Sequence, residues 1–158
     1  AIAAARGAGR KVAFPLSDAF VIARHGDDFR ALIDAGQIDI LFANESELAA
    51  LTGAEDFEAG LAALAPKLPV LVVTRSEKGA VALAGAEREE VAAEPVAKVV
   101  DTTGAGDLFA AGFLFGHVCG RPLFDCLRMG AICAAEIISH YGARPEADLK
   151  ALIAAKMG

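Results

Sequence analysis

The sequence predicts an α/β protein built on a mostly parallel sheet that is flanked by helices. Short apolar segments bounded by polar or turn residues alternate with segments whose apolar residues recur at helical spacing. The strongest strand prediction is 69–74 (PVLVVT), which is short, apolar and rich in β-branched residues. Ligands of such sheets bind at the carboxyl ends of the strands, so these ends are where functional motifs are expected.

In the first half of the chain, apolar spacing and turn residues define the predicted elements. They are strands at 11–14, 39–43 and 69–74 and helices at 27–34, 45–51 and 57–64. Phe29, Leu32 and Ile33 follow the i, i+3, i+4 spacing of a helix face, and Gly36 supplies a stop. Asp18, after the first strand, either faces the ligand side of the sheet or belongs to a plain turn.

The second half is predicted to begin with a hairpin at the sheet edge and to end in helices. The predicted elements are strands at 80–84 and, more weakly, within 89–100, and helices at 108–118, 123–140 and 147–156. Gly79 and Gly85 bracket the first of these strands. Phe109, Phe113 and Phe115, on the helix 108–118, are expected to pack in the core.

Composition excludes several classes of protein. The chain of 158 residues carries 15 Lys and Arg against 21 Asp and Glu, a net charge of −6, and no basic stripe that would suit nucleic acid. No uninterrupted apolar run of about 18 residues is present, so a membrane span is not expected. Three cysteines without zinc-site spacing favour a reducing, cytoplasmic location. The start without methionine suggests a processed chain or a fragment.

The most informative motif is 99–107 (VVDTTGAGD), a strand end that enters a glycine-rich turn and then a helix. Gly104 and Gly106 lack side chains where backbone N–H groups and the positive helix end would approach an anion. Asp107 would repel a phosphate there, and general-base chemistry on an incoming hydroxyl would explain its presence. The alternative is a simple chain turn in which Asp107 complements the helix N-terminus.

A second motif follows the strand 39–43. Asn44 and Glu47 lie three residues apart and would share a helix face, where an amide and a carboxylate suit a hydrated Mg²⁺ ion. The same spacing is also that of a capping box, which would use both side chains to satisfy backbone N–H groups. The residues alone leave these alternatives equally open.

The stretch DTTGAGDLFAAGF resembles the C-terminal signature of the ribokinase-type (pfkB) carbohydrate kinases. In the general character of its motifs, the chain is similar to adenosine kinase-like and sugar kinase members. The resemblance implies a ribokinase-like, doubly wound three-layer fold. It also implies that Asp107 is the catalytic base and that Gly104, Ala105 and Gly106 form an anion hole for the transferring phosphoryl group.

Three further segments resemble motifs of that family in the same order along the chain. By that resemblance, Asn44 and Glu47 help to organise Mg²⁺ and the nucleotide phosphates. The segment 73–79 is similar to the nucleotide-binding turn T-x-G-x-x-G, in which Thr74, Ser76 and Gly79 would bind the nucleotide. Ser76 stands where glycine is usual, and a plain hairpin turn is the alternative for this segment.

The loop at 139–144 is similar to the one that closes the adenine pocket in this family. The resemblance makes Gly142 a nucleotide-binding residue and Asp101 a candidate ligand of a monovalent cation such as K⁺. A solvated helix end is the alternative for this loop.

The resemblance implies an ATP- and Mg²⁺-dependent phosphotransferase with a sugar or nucleoside as acceptor and a homodimer as a candidate assembly. Residues 1–158 would then be the C-terminal, nucleotide-binding and catalytic portion of a single ribokinase-like domain, lacking the N-terminal part and its β lid. A truncated, non-catalytic nucleotide-binding module is the alternative function.

Overall fold

The computed structural model describes residues 1–158. The strands are β1 (Ala13–Pro15), β2 (Ile40–Asn44), β3 (Val70–Thr74), β4 (Ala80–Ala84) and β5 (Glu87–Val91). The α-helices are α1 (Ile2–Gly7), α2 (Ala19–Asp34), α3 (Glu45–Thr52), α4 (Phe57–Leu64), α5 (Ala105–Val118), α6 (Leu123–Ile137) and α7 (Leu149–Met157). Short 3₁₀ turns occupy Ala65–Lys67 and Ser76–Lys78.

The five strands form one mixed sheet in the order β1-β2-β3-β4-β5. β1, β2 and β3 are parallel, and the register sets Asn44 at the end of β2 opposite Thr74 at the end of β3. The central strands are almost wholly apolar, and Leu41, Leu71 and Val72 have no exposed surface. Strands buried in this way carry continuous apolar runs, which explains why short apolar segments between polar or turn residues identified them in the sequence.

Side-chain caps determine where four of the helices begin. Asp18, Asn44, Asp56 and Asp148 each accept a hydrogen bond from a backbone N–H in the first turn of α2, α3, α4 and α7, respectively. Such caps stabilise a helix by about 1 kcal/mol relative to alanine. The cap at Asp18 starts α2 at Ala19, well before the predicted 27, and the helix crosses a non-helical residue at His25 (φ −126°, ψ 18°).

The chain divides into two compact units. The first comprises 1–75 and 82–88, and the second comprises 76–81 and 89–158. In the first unit, α2 packs on α3 and α3 packs on α4, β2 and β3. In the second unit, α5 packs along α6, and α6 packs against α7 around a core that includes Met129, Ile132 and Ile153.

Three boundaries in the second half differ from the sequence prediction by three residues or more. The weak strands predicted within 89–100 are wrong beyond Val91, because residues 92–100 make no strand. α5 begins at Ala105, earlier than the predicted 108, which brings the glycine-rich motif into its first turn. α6 ends at Ile137, earlier than the predicted 140.

The core prediction for the helix after the motif is confirmed in part. Phe109 and Phe113 are buried, whereas the prediction for Phe115 is wrong because its side chain is exposed. Helical periodicity places Phe113 and Phe115 on different faces, and only the packing partner decides which face is covered. None of the helices combines the length and the apolarity that crossing a bilayer requires.

Candidate active site

In the first unit, Asn44 and Glu47 form a reciprocal capping box at the start of α3. Asn44 Oδ1 accepts the N–H of Glu47 at 2.8 Å, and Glu47 Oε2 accepts the N–H of Asn44 at 2.9 Å. The capping box, one of the two alternatives that the spacing of Asn44 and Glu47 left open, is therefore present in the structure. The box satisfies helix N–H groups and also holds both side chains rigidly at the carboxyl end of β2.

Glu47 is a buried charged side chain, with 6% of its surface exposed. Burial raises the pKa of Glu47, the hydrogen bond from the Asn44 N–H opposes that shift, and the negative charge of Asp18 adds to it. Asp18 caps α2 through its side chain, and the prediction that it faces the ligand side of the sheet stays a prediction. Two carboxylates that repel each other at a strand end provide a local excess of negative charge that a cation would relieve.

The end of β3 leads into the predicted nucleotide-binding turn. Thr74, in the first unit, donates a long hydrogen bond of 3.5 Å from Oγ1 to the Ala43 carbonyl. In the second unit, Ser76 has a positive φ of 52°, and Gly79, with φ 91°, donates its N–H to the Ser76 carbonyl at 3.1 Å. The backbone at Ser76 thus adopts the left-handed conformation that glycine favours.

The N-terminus of α5, in the second unit, carries the residues predicted to bind and transfer a phosphoryl group. Its N-cap is Gly104, with φ 81°, and no side chain caps the helix. The N–H groups of Gly104, Gly106 and Asp107 make no hydrogen bond within the chain, whereas that of Ala105 donates to the Thr102 carbonyl at 3.1 Å. Unpaired N–H groups at a helix N-terminus favour an anion.

Asp107 lies in this same first turn. Its side chain is exposed, and neither carboxylate oxygen makes a hydrogen bond or an ion pair within the chain. No atom lies within 4 Å of the position that a Cβ would take on Gly106, so the turn presents open space beside the carboxylate. The helix start therefore places unpaired backbone N–H groups next to an exposed carboxylate that has no partner within the chain.

Asp101 connects the motif to the loop after α6. Its Oδ1 accepts the N–H and the hydroxyl of Thr103 at 2.9 and 2.7 Å, and its Oδ2 accepts the N–H of Gly142 at 3.0 Å. The Thr103 hydroxyl, followed by the N–H groups of Gly142 and Thr103, lowers the pKa of Asp101 to about 2. Asp101 thus positions the predicted nucleotide-binding residue Gly142. Its role as a cation ligand stays a prediction.

The predicted site residues fall into two groups. Asn44, Glu47 and Thr74 lie together at the carboxyl ends of β2 and β3. Those of the second unit occupy the turn at 76–79 and the start of α5 with its neighbouring loop, and a Cβ on Gly104 would contact Ala143 of that loop at 3.1 Å. Sequence reasoning missed Glu136, whose carboxylate holds the same loop, because a glutamate inside an apolar helix gives no distinctive signal.

Comparison with known proteins decides the family. The pfkB family carbohydrate kinase profile matches residues 2–149. The chain belongs to the pfkB family of carbohydrate kinases. Its ribokinase-like fold, predicted from the sequence, is confirmed by the solved structures of that fold with which it superimposes.

Three similar proteins illustrate the range of the family. A cytidine kinase from Thermococcus kodakarensis is 41% identical over 111 residues, 67% of this chain and 39% of its own length. The crystal structure of adenosine kinase from Sinorhizobium meliloti is 44% identical, with a TM-score of 0.92 over 99% of this chain and 47% of that one. Arabidopsis thaliana ribokinase, solved with ribose and ATP, is 30% identical, with a TM-score of 0.76 over 97% and 49%. The chain thus spans half or less of each relative.

Proposed function

We propose that the protein to which this chain belongs is an ATP-dependent phosphotransferase that moves the γ-phosphoryl group to a hydroxyl of a sugar or nucleoside. The observation that carries the proposal is the start of α5, where unpaired backbone N–H groups adjoin the exposed and unpaired carboxylate of Asp107. Four other helices of the chain begin with an Asp or Asn side chain that caps their own first N–H groups. Gly104, at the N-cap of α5, has no side chain and leaves the first N–H groups of α5 free for a ligand.

In the proposed reaction, Asp107 accepts the proton of the acceptor hydroxyl while the hydroxyl oxygen attacks the γ-phosphorus of ATP. The new O–P bond forms as the bond between the γ-phosphorus and the bridging oxygen breaks, and ADP leaves with that electron pair. The N–H groups of Gly104 and Gly106 would donate to the phosphoryl oxygens, and the N-terminal end of the α5 dipole adds to this stabilisation. Positioning and charge compensation thus supply most of the rate enhancement.

Mg²⁺ fits the donor set at the carboxyl end of β2. The capping box holds the Glu47 carboxylate and the Asn44 amide oxygen side by side, and such oxygens suit the water shell of a Mg²⁺ ion. No group of three or more His, Cys, Asp or Glu side chains is arranged to hold a metal ion. When bound, Mg²⁺ neutralises phosphate charge, and we propose that Asn44 and Glu47 orient its water shell.

The nucleotide would contact Thr74, Ser76, Gly79 and Gly142. Support comes from the turn geometry, because Ser76, Gly79 and Gly142 have positive φ values, and the hydrogen bonds of the Gly79 N–H to the Ser76 carbonyl and of the Gly142 N–H to Asp101 fix these turns. Arabidopsis ribokinase, which shares the fold, was solved with ATP bound. The names of the similar proteins include cytidine, adenosine and ribose kinases, so both nucleosides and sugars belong in the acceptor screen.

The test is acceptor-dependent ATP consumption by the full-length protein with Mg²⁺, against adenosine, cytidine, ribose and fructose. Asp107→Asn should lower kcat by at least about 10³-fold while ATP affinity stays within about twofold, because the base acts on the acceptor. Asp125→Asn is a matched control. Asp125 occupies the same first-turn position in α6, where it pairs with Arg121 at 2.7 Å, and this change should leave kcat unaltered.

Three results would be informative. Turnover that requires Asp107 supports the kinase function and identifies the acceptor class. Turnover retained in Asp107→Asn would show that another group is the base. ATP binding measured by calorimetry without turnover of any acceptor would favour the non-catalytic nucleotide-binding module.

A further inference from the structure

One carboxylate ties the loop at 139–147 to the end of α6. Glu136 Oε1 accepts the N–H groups of Glu146 and Ala147, each at 2.8 Å, and His140 Nε2 lies 3.2 Å from the same oxygen. Only 7% of the Glu136 side chain is exposed. The far end of the loop is therefore held by a single buried acceptor, which brings residues ten and eleven positions later in the chain back to α6.

The near end of the same loop is held by Asp101. Gly142 donates its N–H to Asp101 Oδ2 at 3.0 Å, and Gly104 lies so close to Ala143 that a Cβ there would approach it to 3.1 Å. Residues 143–145, between these two anchors, are exposed, and 83% of the surface of Tyr141, just before the first anchor, is open to solvent. The loop is thus fixed by hydrogen bonds at both ends rather than by a core of its own.

The second oxygen of Glu136 is buried and makes no hydrogen bond. A buried polar atom without a partner destabilises the folded state, and an apolar residue at this position of α6 would avoid that cost. The observed carboxylate therefore contributes something that an apolar side chain cannot supply. What it supplies here is an acceptor for two loop N–H groups.

We propose that Glu136 is a positioning residue for nucleotide binding. It holds the loop at 139–147 in the conformation that presents Gly142 to ATP, and it does so without touching the nucleotide. The inference rests on the proposed function, since it assumes that Gly142 contacts ATP. It goes beyond that function by assigning the geometry of the loop to a side chain in the helix before it.

The test compares Glu136→Ala with Glu136→Gln in the full-length protein. Removing the acceptor frees two loop N–H groups, so Glu136→Ala should raise KM for ATP about tenfold and change kcat by less than about twofold. Glutamine keeps an acceptor oxygen in the same place, so Glu136→Gln should retain a KM within about threefold of the wild type.

Asp148→Ala is the matched control. Asp148 also accepts two backbone N–H groups, those of Lys150 and Ala151 at 2.9 and 3.2 Å, but it caps α7 beyond the loop. Its loss should lower the melting temperature and leave KM for ATP unchanged. An equal rise in KM in Asp148→Ala and Glu136→Ala would show a general loss of stability and overturn the proposal.

Hydrogen exchange without nucleotide tests the loop by itself. The amides of Glu146 and Ala147 should exchange faster in Glu136→Ala than in the wild type or in Glu136→Gln. Unchanged exchange rates, or an unchanged KM for ATP in an active Glu136→Ala enzyme, would overturn the role proposed for Glu136 without contradicting the proposed function. A wild-type protein that consumes no ATP would instead overturn the proposed function, and the exchange rates would still decide whether Glu136 holds the loop.

Discussion

Gly79 has a conformation and surroundings that exclude a side chain. Its φ is 91°, and a Cβ there would lie 1.9 Å from the Val91 carbonyl oxygen. Gly85 has a similar φ of 61° but has no atom within 4 Å of its Cβ position. The two glycines therefore separate the cost of a left-handed backbone from the cost of a steric clash.

We predict that Gly79→Ala lowers the free energy of unfolding by at least about 3 kcal/mol, because it adds a backbone clash to the left-handed strain. Gly85→Ala should cost about 1 kcal/mol, which is the strain alone. Urea denaturation of both variants measures the difference. Equal losses would show that the chain near Val91 relaxes to admit the methyl group.

His140 has acceptors at both ring nitrogens. Nε2 faces Glu136 Oε1 at 3.2 Å, and Nδ1 faces the Tyr141 carbonyl at 3.4 Å and Glu146 Oε1 at 3.8 Å. Burial alone would lower the pKa of His140, but the hydrogen bond to the Tyr141 carbonyl, the one to Glu136 and the two negative charges together raise it. Both nitrogens can donate only in the protonated ring.

The raised pKa predicts that His140 stabilises the folded state most at low pH. The contribution should be fully present below the unfolded pKa of about 6.5 and be lost as the pH rises through the higher folded value. The difference in unfolding free energy between the wild type and His140→Gln, from urea titrations between pH 5.5 and 9, should therefore shrink with rising pH. A difference that grows over this range would contradict the assignment.

At the scale of elements, α5 and α6 approach each other closely. A Cβ on Gly112 would come within 2.5 Å of the Met129 carbonyl oxygen, so the small residue permits the contact. Cys126 and Cys133 are buried at this packing, and burial raises the pKa of each thiol to about 11. Cys119, after α5, is exposed. Cys126 and Cys133 thus act as small buried side chains.

Thiol labelling tests this helix packing. In the native protein, an aromatic disulfide reagent at pH 8 should modify Cys119 quickly, whereas Cys126 and Cys133 should react only after unfolding. Cys119→Ser should abolish the fast phase. Gly112→Ala should expose the two buried thiols to the reagent, and protection unchanged in that variant would contradict the close approach of the helices.

At the scale of the whole molecule, ligand binding should increase the stability of the folded protein. ATP with Mg²⁺ should raise the melting temperature of the full-length protein, since a ligand at 100 times its Kd stabilises by about 2.7 kcal/mol. Chelating Mg²⁺ with EDTA should reduce the shift. Asp107→Asn should keep the shift, because we propose that this carboxylate acts on the acceptor rather than on the nucleotide. A shift lost in Asp107→Asn alone would indicate that Asp107 holds the nucleotide.

The sheet was largely predictable because its strands are buried and apolar. Segments 39–43 and 69–74 were identified within one residue of β2 and β3, since no polar side chain interrupts them. The residues at 92–100 were misassigned because Val96, Val99 and Val100 have strand propensity. Propensity carries no information about whether a neighbouring strand is available.

The sequence by itself determined the family and the order of the motifs, because DTTGAGD and the other motifs are runs of adjacent residues that can be recognised without knowledge of the tertiary structure. Tertiary structure decided which alternatives were realised. Asn44 and Glu47 form a capping box, Gly104 leaves the N-terminus of α5 uncapped, and Glu136 holds a loop ten residues away. Each of these depends on where hydrogen-bond partners lie in space, which spacing along the chain does not specify.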